Sequence, residues 1–209
     1  MFCCLRSCLG DAYTQTVPVR PSRENPIHLD TTHMGHEVVI VKNGQRVCGS
    51  GGVLATAPLV QSKSYFEVKI QQSGQWSIGL ATRNADLNKT KGGTDVETWC
   101  LSSDNVLRHN DEEIHRLQEA LAEHGEEKPE SFGGSFPTEG DTIGVAFDHV
   151  ELNFYLNGRN LEVPVLNVRG TVYPALFVDD GAVLDILLDN FSHSPPAGFD
   201  KIMLEQSLL

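Results

Sequence analysis

Ile143-Gly144-Val145-Ala146-Phe147-Asp148-His149-Val150-Glu151-Leu152-Asn153-Phe154-Tyr155-Leu156-Asn157-Gly158 decides the fold. Ile143, Val145 and Phe147 alternate with Gly144 and Ala146, and Leu152, Phe154 and Leu156 alternate with Asn153 and Tyr155. A period of two is the signature of a strand with one buried face. Asp148-His149 between the two runs reads as a turn pair. Asn157-Gly158 ends the second run, and both residues tolerate the positive φ that a two-residue hairpin demands.

Other segments repeat the pattern on both sides. Phe66, Val68 and Ile70 alternate with Glu67 and Lys69, and Trp76, Ile78 and Leu80 alternate with Ser77, Gly79 and Ala81. Val38–Val41 is β-branched and runs into a second Asn-Gly pair, Asn43-Gly44, with Val47-Cys48 as the return strand. Val172–Val178 and Val183–Leu188 complete the series. Short strands separated by turn residues predict an antiparallel sandwich. Gly49-Ser50-Gly51-Gly52 lacks the Lys-Ser/Thr of a phosphate loop and reads as a turn or bulge between strands.

One segment departs from the series. Ile114, Leu117 and Leu121 are helically spaced within 112–123, so 111–137 reads as a charged insertion with room for a short helix. From Asp111 to Glu139, nine carboxylates face only Arg116 and Lys128. The segment therefore carries seven of the twelve excess negative charges.

The chain has 209 residues, 40% of them hydrophobic, which suits one well-packed domain. A net charge of −12 argues against nucleic-acid binding, since phosphate backbones repel it. Residues 1–26 hold Pro18, Pro21 and Pro26 and no periodic pattern, and read as a flexible tail. The tail holds Cys3, Cys4 and Cys8, placed as S-palmitoylation targets are, which gives a route to peripheral membrane association. Cys48 and Cys100 read as buried free thiols. With no visible signal peptide or apolar span, a cytoplasmic protein with reduced cysteines is expected.

No catalytic motif emerges, and neither a cofactor nor a metal is expected. His28, His33 and His36 lie near Asp30 but lack metal-ligand spacing, and Asp179-Asp180 lacks the further carboxylates of a calcium loop. An enzyme is not expected.

Ser64–Ile70, Trp76–Thr82, Gly140–Asp148, Leu152–Gly158, Val172–Ala175 and Pro195–Phe199, in that order, resemble the SPRY domain family across 27–199. The resemblance implies an all-β, two-sheet antiparallel sandwich of the concanavalin-like jelly-roll type, B30.2-like. It leaves 200–209 as a C-terminal segment, with packing on the sandwich open to it. It also implies an adaptor that binds a peptide or protein partner through edge loops, acting as a monomer. In peptide-binding members of the cytokine-signalling box type, an apolar residue and a tryptophan follow the Tyr-Pro-Ala strand. Here Asp179 and Asp180 take those places before Gly181, and an earlier tyrosine is replaced near Gly92. The partner site is expected at Asp179, Asp180, Gly181, Lys89, Lys91 and Gly92, selecting a basic or donor-rich ligand in place of aromatic anchoring. The alternative is a small-molecule or carbohydrate binder on the same scaffold.

Overall fold

The longest strand, Arg46–Ala55, belongs to two sheets at once. The computed structural model describes residues 27–117 and 137–204. In chain order its strands are β1 (Leu29–Met34), β2 (Glu37–Val41), β3 (Arg46–Ala55), β4 (Ser64–Gln72), β5 (Gln75–Ala81), β6 (Thr98–Ser102), β7 (Val106–His109) and β8 (Glu112–Arg116). They continue as β9 (Thr142–Phe147), β10 (Glu151–Leu156), β11 (Arg159–Asn160), β12 (Val165–Leu166), β13 (Tyr173–Asp179), β14 (Val183–Leu187) and β15 (Asp200–Lys201).

The first sheet runs β1-β3-β13-β5-β6-β7-β8, and the second runs β2-β3-β14-β4-β9-β10 with β11 and β12 on its outer edge. All pairings are antiparallel except that of β15, which lies parallel to β4 at Ser64 and Tyr65. The first half of β3 pairs with β2 and β14, and the second half pairs with β13. The switch falls at Gly49-Ser50-Gly51-Gly52. Gly49 and Gly51 have φ of +97° and +124°, where a side chain is strained, and a Cβ on Gly49 would lie 2.2 Å from the Glu37 carbonyl oxygen. The glycines thus bend one continuous strand from sheet to sheet, as a bulge does.

The alternating positions meet between the sheets. Phe66, Val68, Ile70, Ile78, Leu80, Val145, Leu152 and Phe154 all have no exposed surface and belong to one core. Asn157-Gly158 forms the expected two-residue turn, with φ of 50° and 81°, closing Leu156 onto Arg159. Asp148 accepts the backbone N–H of Val150 and Glu151, and His149 turns the chain with φ of 67°.

Two expectations need correction. Glu112–Arg116 is strand β8, paired with β7, so the stretch expected as helix from 112 begins extended and helical backbone starts only at Leu117. β7 leaves an open sheet edge, and the backbone hydrogen bonds gained by pairing outweigh the weak helical propensity of five residues. Leu117 is buried in the core, while 118–136, including Leu121, lie outside the described residues. Cys48 is only half-buried, because it stands opposite the exposed Val39 on the outer face of β3. Cys100 is buried, and removal from water pushes its thiol pKa well up.

Glu67 belongs to the outer face of its sheet, yet it has no exposed surface. The segment after β14 covers it. Its carboxylate accepts the N–H of Ser192 at 2.6 Å and of His193 at 3.0 Å, and the Tyr65 hydroxyl donates to it at 3.1 Å. Phe191 seals this contact edge-on against Tyr65, ring centroids 4.9 Å apart. A buried carboxylate supplied with three donors is thereby satisfied, and it ties the segment after β14 to the sandwich.

Candidate functional site

The connection from β5 to β6, residues 82–97, lies across the outer face of the first sheet. There Leu54, Ala81, Cys100, Tyr173, Ala175 and Phe177 form a second small core, with Ala85 and Leu87 of the connection packed on it. The Gly52 N–H donates to the Leu87 carbonyl at 2.7 Å, which pins the loop to β3. Gly92 lies so close that a Cβ there would sit 2.6 Å from the Cys100 sulfur and 2.7 Å from the Phe177 ring. Gly92 is therefore buried, and its part is to let the loop pack down.

Strand register fixes what shares each end of the sheet. Asp179 is opposite Gln75, and Ser77 is opposite Ser102. The β13–β14 turn and the β6–β7 turn therefore open at one end. In the first turn Asp180 and Gly181 both have positive φ, at 48° and 79°, and the Ala182 N–H donates to the Asp179 carbonyl at 3.0 Å. This tight turn passes the chain from the first sheet to the second, since β13 pairs with β5 and β3 while β14 pairs with β4 and β3. At the same end Lys91 holds Asp104 at 2.8 Å, and Arg108 holds it at 2.9 Å. Burial alone would raise the Asp104 pKa, but these two cations outweigh it and hold the carboxyl at about 2. Lys89 lies 3.8 Å from Asp95. Asp179 and Asp180 have no ion-pair partner among the described residues.

The opposite end of the sheet carries Tyr173 opposite Ala81, Ala81 opposite Thr98, and Trp99 opposite His109. A groove of about 920 Å³ opens there, lined by Thr82, Arg83, Asn84, Val96, Glu97, Trp99, His109, Tyr173 and the 167–171 segment. His109 stacks flat on Trp99, ring centroids 4.6 Å apart and 7° from parallel. Its Nδ1 meets the Thr98 carbonyl at 3.0 Å, an acceptor, which assigns the proton to Nδ1. The Arg83 guanidinium lies over the Tyr173 ring at 4.5 Å and 3.7 Å from Asp30, which also holds His33 at 2.8 Å. Glu97 is tied to the Thr82 hydroxyl.

Of the site residues expected from sequence, Asp179, Asp180 and Gly181 form the β13–β14 turn and Lys91 reaches Asp104 at that same end, whereas Lys89 lies by Asp95, whose carboxylate accepts from Thr98 towards the opposite end, and Gly92 is packed against Cys100 and Phe177. Cys3, Cys4 and Cys8 lie outside the described residues. Among the described residues no cluster of three His, Cys, Asp or Glu could hold a metal ion. The groove went unread in the sequence. Arg83, Trp99, His109 and Tyr173 come from separate strand ends with no spacing rule to join them.

The SPRY domain family model matches residues 63–191. The chain is 49% identical over 209 residues to SPRY domain-containing protein 7 of Bos taurus, covering 100% of this chain and 97% of that protein. It is 48% identical over 209 residues to the Homo sapiens protein of that name, with the same coverage. Among solved structures, the SPRY domain of human HERC1 aligns with a TM-score of 0.55 at 17% identity, covering 76% of this chain and 96% of that one. The TRIM65 PSpry domain aligns with a TM-score of 0.58 at 14% identity, covering 78% and 90%. The chain belongs to the SPRY domain family.

Proposed function

We propose that this chain is a non-catalytic, cytoplasmic adaptor that binds a protein or peptide partner through the Asp179 end of its first sheet. SPRY domains are a fold generally used for protein–protein interaction, and membership supports the class of function. The observation that carries the site is the contrast between carboxylates. Asp104 is held by Lys91 and Arg108, and Asp185 is buried against Arg46 and Lys42. Asp179 and Asp180 instead stand at a tight turn between the two sheets, with no cation of their own among the described residues. Paired aspartates on a preorganised turn suit a basic or donor-rich partner, to which charge-assisted hydrogen bonds give direction and specificity.

Asp179→Lys with Asp180→Lys should leave the melting temperature within a few degrees of wild type and remove most specific partners from a pull-down. Wild-type binding should weaken as salt rises through the physiological range. A folded double variant that keeps its full partner set would place the interface elsewhere. The small-molecule or carbohydrate reading has one observation in its favour, the aromatic-lined groove at the opposite end. A glycan array with the wild-type chain decides it.

A further inference from the structure

The groove at the Tyr173 end combines three features that rarely coincide on an acidic protein. Its floor is aromatic, from Trp99 and Tyr173, with His109 stacked on Trp99. Its rim carries Val96, 58% exposed, one of the more exposed large apolar residues of the described chain. Its cations are Arg83 and Arg169, on a chain whose carboxylates outnumber its Lys and Arg 28 to 16.

The two arginines differ in kind. Arg83 is braced by the Tyr173 ring beneath it and by Asp30 and His33 beside it, so its guanidinium is fixed in place. Arg169 is exposed and has no ion-pair or hydrogen-bond partner among the described residues. Glu97, the one carboxylate in the lining, is already engaged by Thr82. What the groove lacks is an anion, and a planar guanidinium fork best satisfies itself on a carboxylate. Val96 beside the aromatic floor offers apolar burial next to that charge.

We infer that this groove is a second recognition surface, which takes an extended segment of a partner protein presenting an Asp or Glu carboxylate to Arg169 next to an aliphatic side chain on Val96. It stands about 20 Å along β13 from the Asp179 turn, the length of a six-residue strand step. The two ends of one sheet would then select opposite charges, acidic at Asp179-Asp180 and basic in the groove. A module built so could hold two different partners at once.

The test uses the full-length chain and a positional-scanning library of immobilised nonamer peptides. Wild type should select Asp or Glu over Asn or Gln by about tenfold at one position, the gain of one charged hydrogen-bonded pair. An aliphatic residue should be selected beside it. Arg169→Glu should lose the acidic preference and turn towards Lys or Arg, while Val96→Ser should lose only the aliphatic one. Both positions are exposed, and a thermal melt verifies that the variants fold. Asp179→Lys with Asp180→Lys should leave the acidic selection intact, which separates this surface from the one proposed above. The inference is overturned if wild type shows no acidic selection, if Arg169→Glu leaves that selection unchanged, or if the Asp179/Asp180 variant abolishes it. Saturable binding of succinate or of arrayed glycans that Arg169→Glu abolishes, with no peptide selected, would also overturn it and make the groove a small-molecule pocket.

Discussion

Phe154 has no exposed surface and stands between Leu152 and Leu156 on the inner face of β10. Truncating it leaves a cavity in a core fixed by two sheets that cannot collapse onto it. Phe154→Ala should therefore cost about 3–5 kcal/mol, read from chemical denaturation. Asp104 governs a second residue-scale prediction. Its folded carboxyl titrates at about 2, below the ordinary carboxylate value near 4. A lowered folded pKa adds stability that is present above the unfolded value and lost as pH falls through the folded one. Stability should thus decline between about pH 4 and pH 2. Asp104→Asn should lower stability at neutral pH and flatten part of that decline, by about 1 kcal/mol or less because the side chain is 43% exposed. Thermal melts of both forms across this range measure it.

At the scale of elements, β3 and β8 show where local pattern stops being decisive. The glycines of β3 read as a turn or a bulge, because missing side chains tolerate either. The bulge wins, and the strand continues through them, because β13 and β2 offer partners on its two halves. Likewise Ile114 and Leu117 fit a helical face by spacing, but pairing with β7 takes the first of them into a strand and leaves Leu117 in the core. Leu117→Ala should then cost about 2–5 kcal/mol. Deleting 119–135, which carries repelling carboxylates and begins after that anchor, should leave the melting temperature nearly unchanged. A large drop on deletion would mean that the insertion contributes packing of its own.

Across the whole molecule, the sandwich separates its surfaces. The acidic Asp179 turn and the arginine groove lie at opposite ends of the first sheet, and Cys3, Cys4 and Cys8 precede the described residues. Two acyl chains hold a protein stably at a membrane where one does so only marginally. We propose that the tail carries hydroxylamine-sensitive acylation and gives partial membrane association. Replacing all three cysteines with serine should move the protein wholly to the soluble fraction, while leaving pull-down through Asp179 and Asp180 unchanged. Acyl exchange that finds no modified cysteine would remove the membrane from the account.

By itself the sequence determined the sandwich, its inner faces and its tight hairpins. Period two and Asn-Gly are local signals, read within a few residues, and Phe66, Phe154 and Asn157-Gly158 sit where those signals put them. The expectation of a partner site at Asp179-Asp180-Gly181 came from the family resemblance, which places those residues after the Tyr-Pro-Ala strand. Only the tertiary structure decided that Gly92 is a packing contact, that Glu67 is a buried latch for Ser192 and His193, and that Arg83, Trp99, His109 and Tyr173 share one groove. Each of those depends on strand order and register. Hydrogen bonding between segments distant in sequence sets them, and no spacing along the chain encodes them.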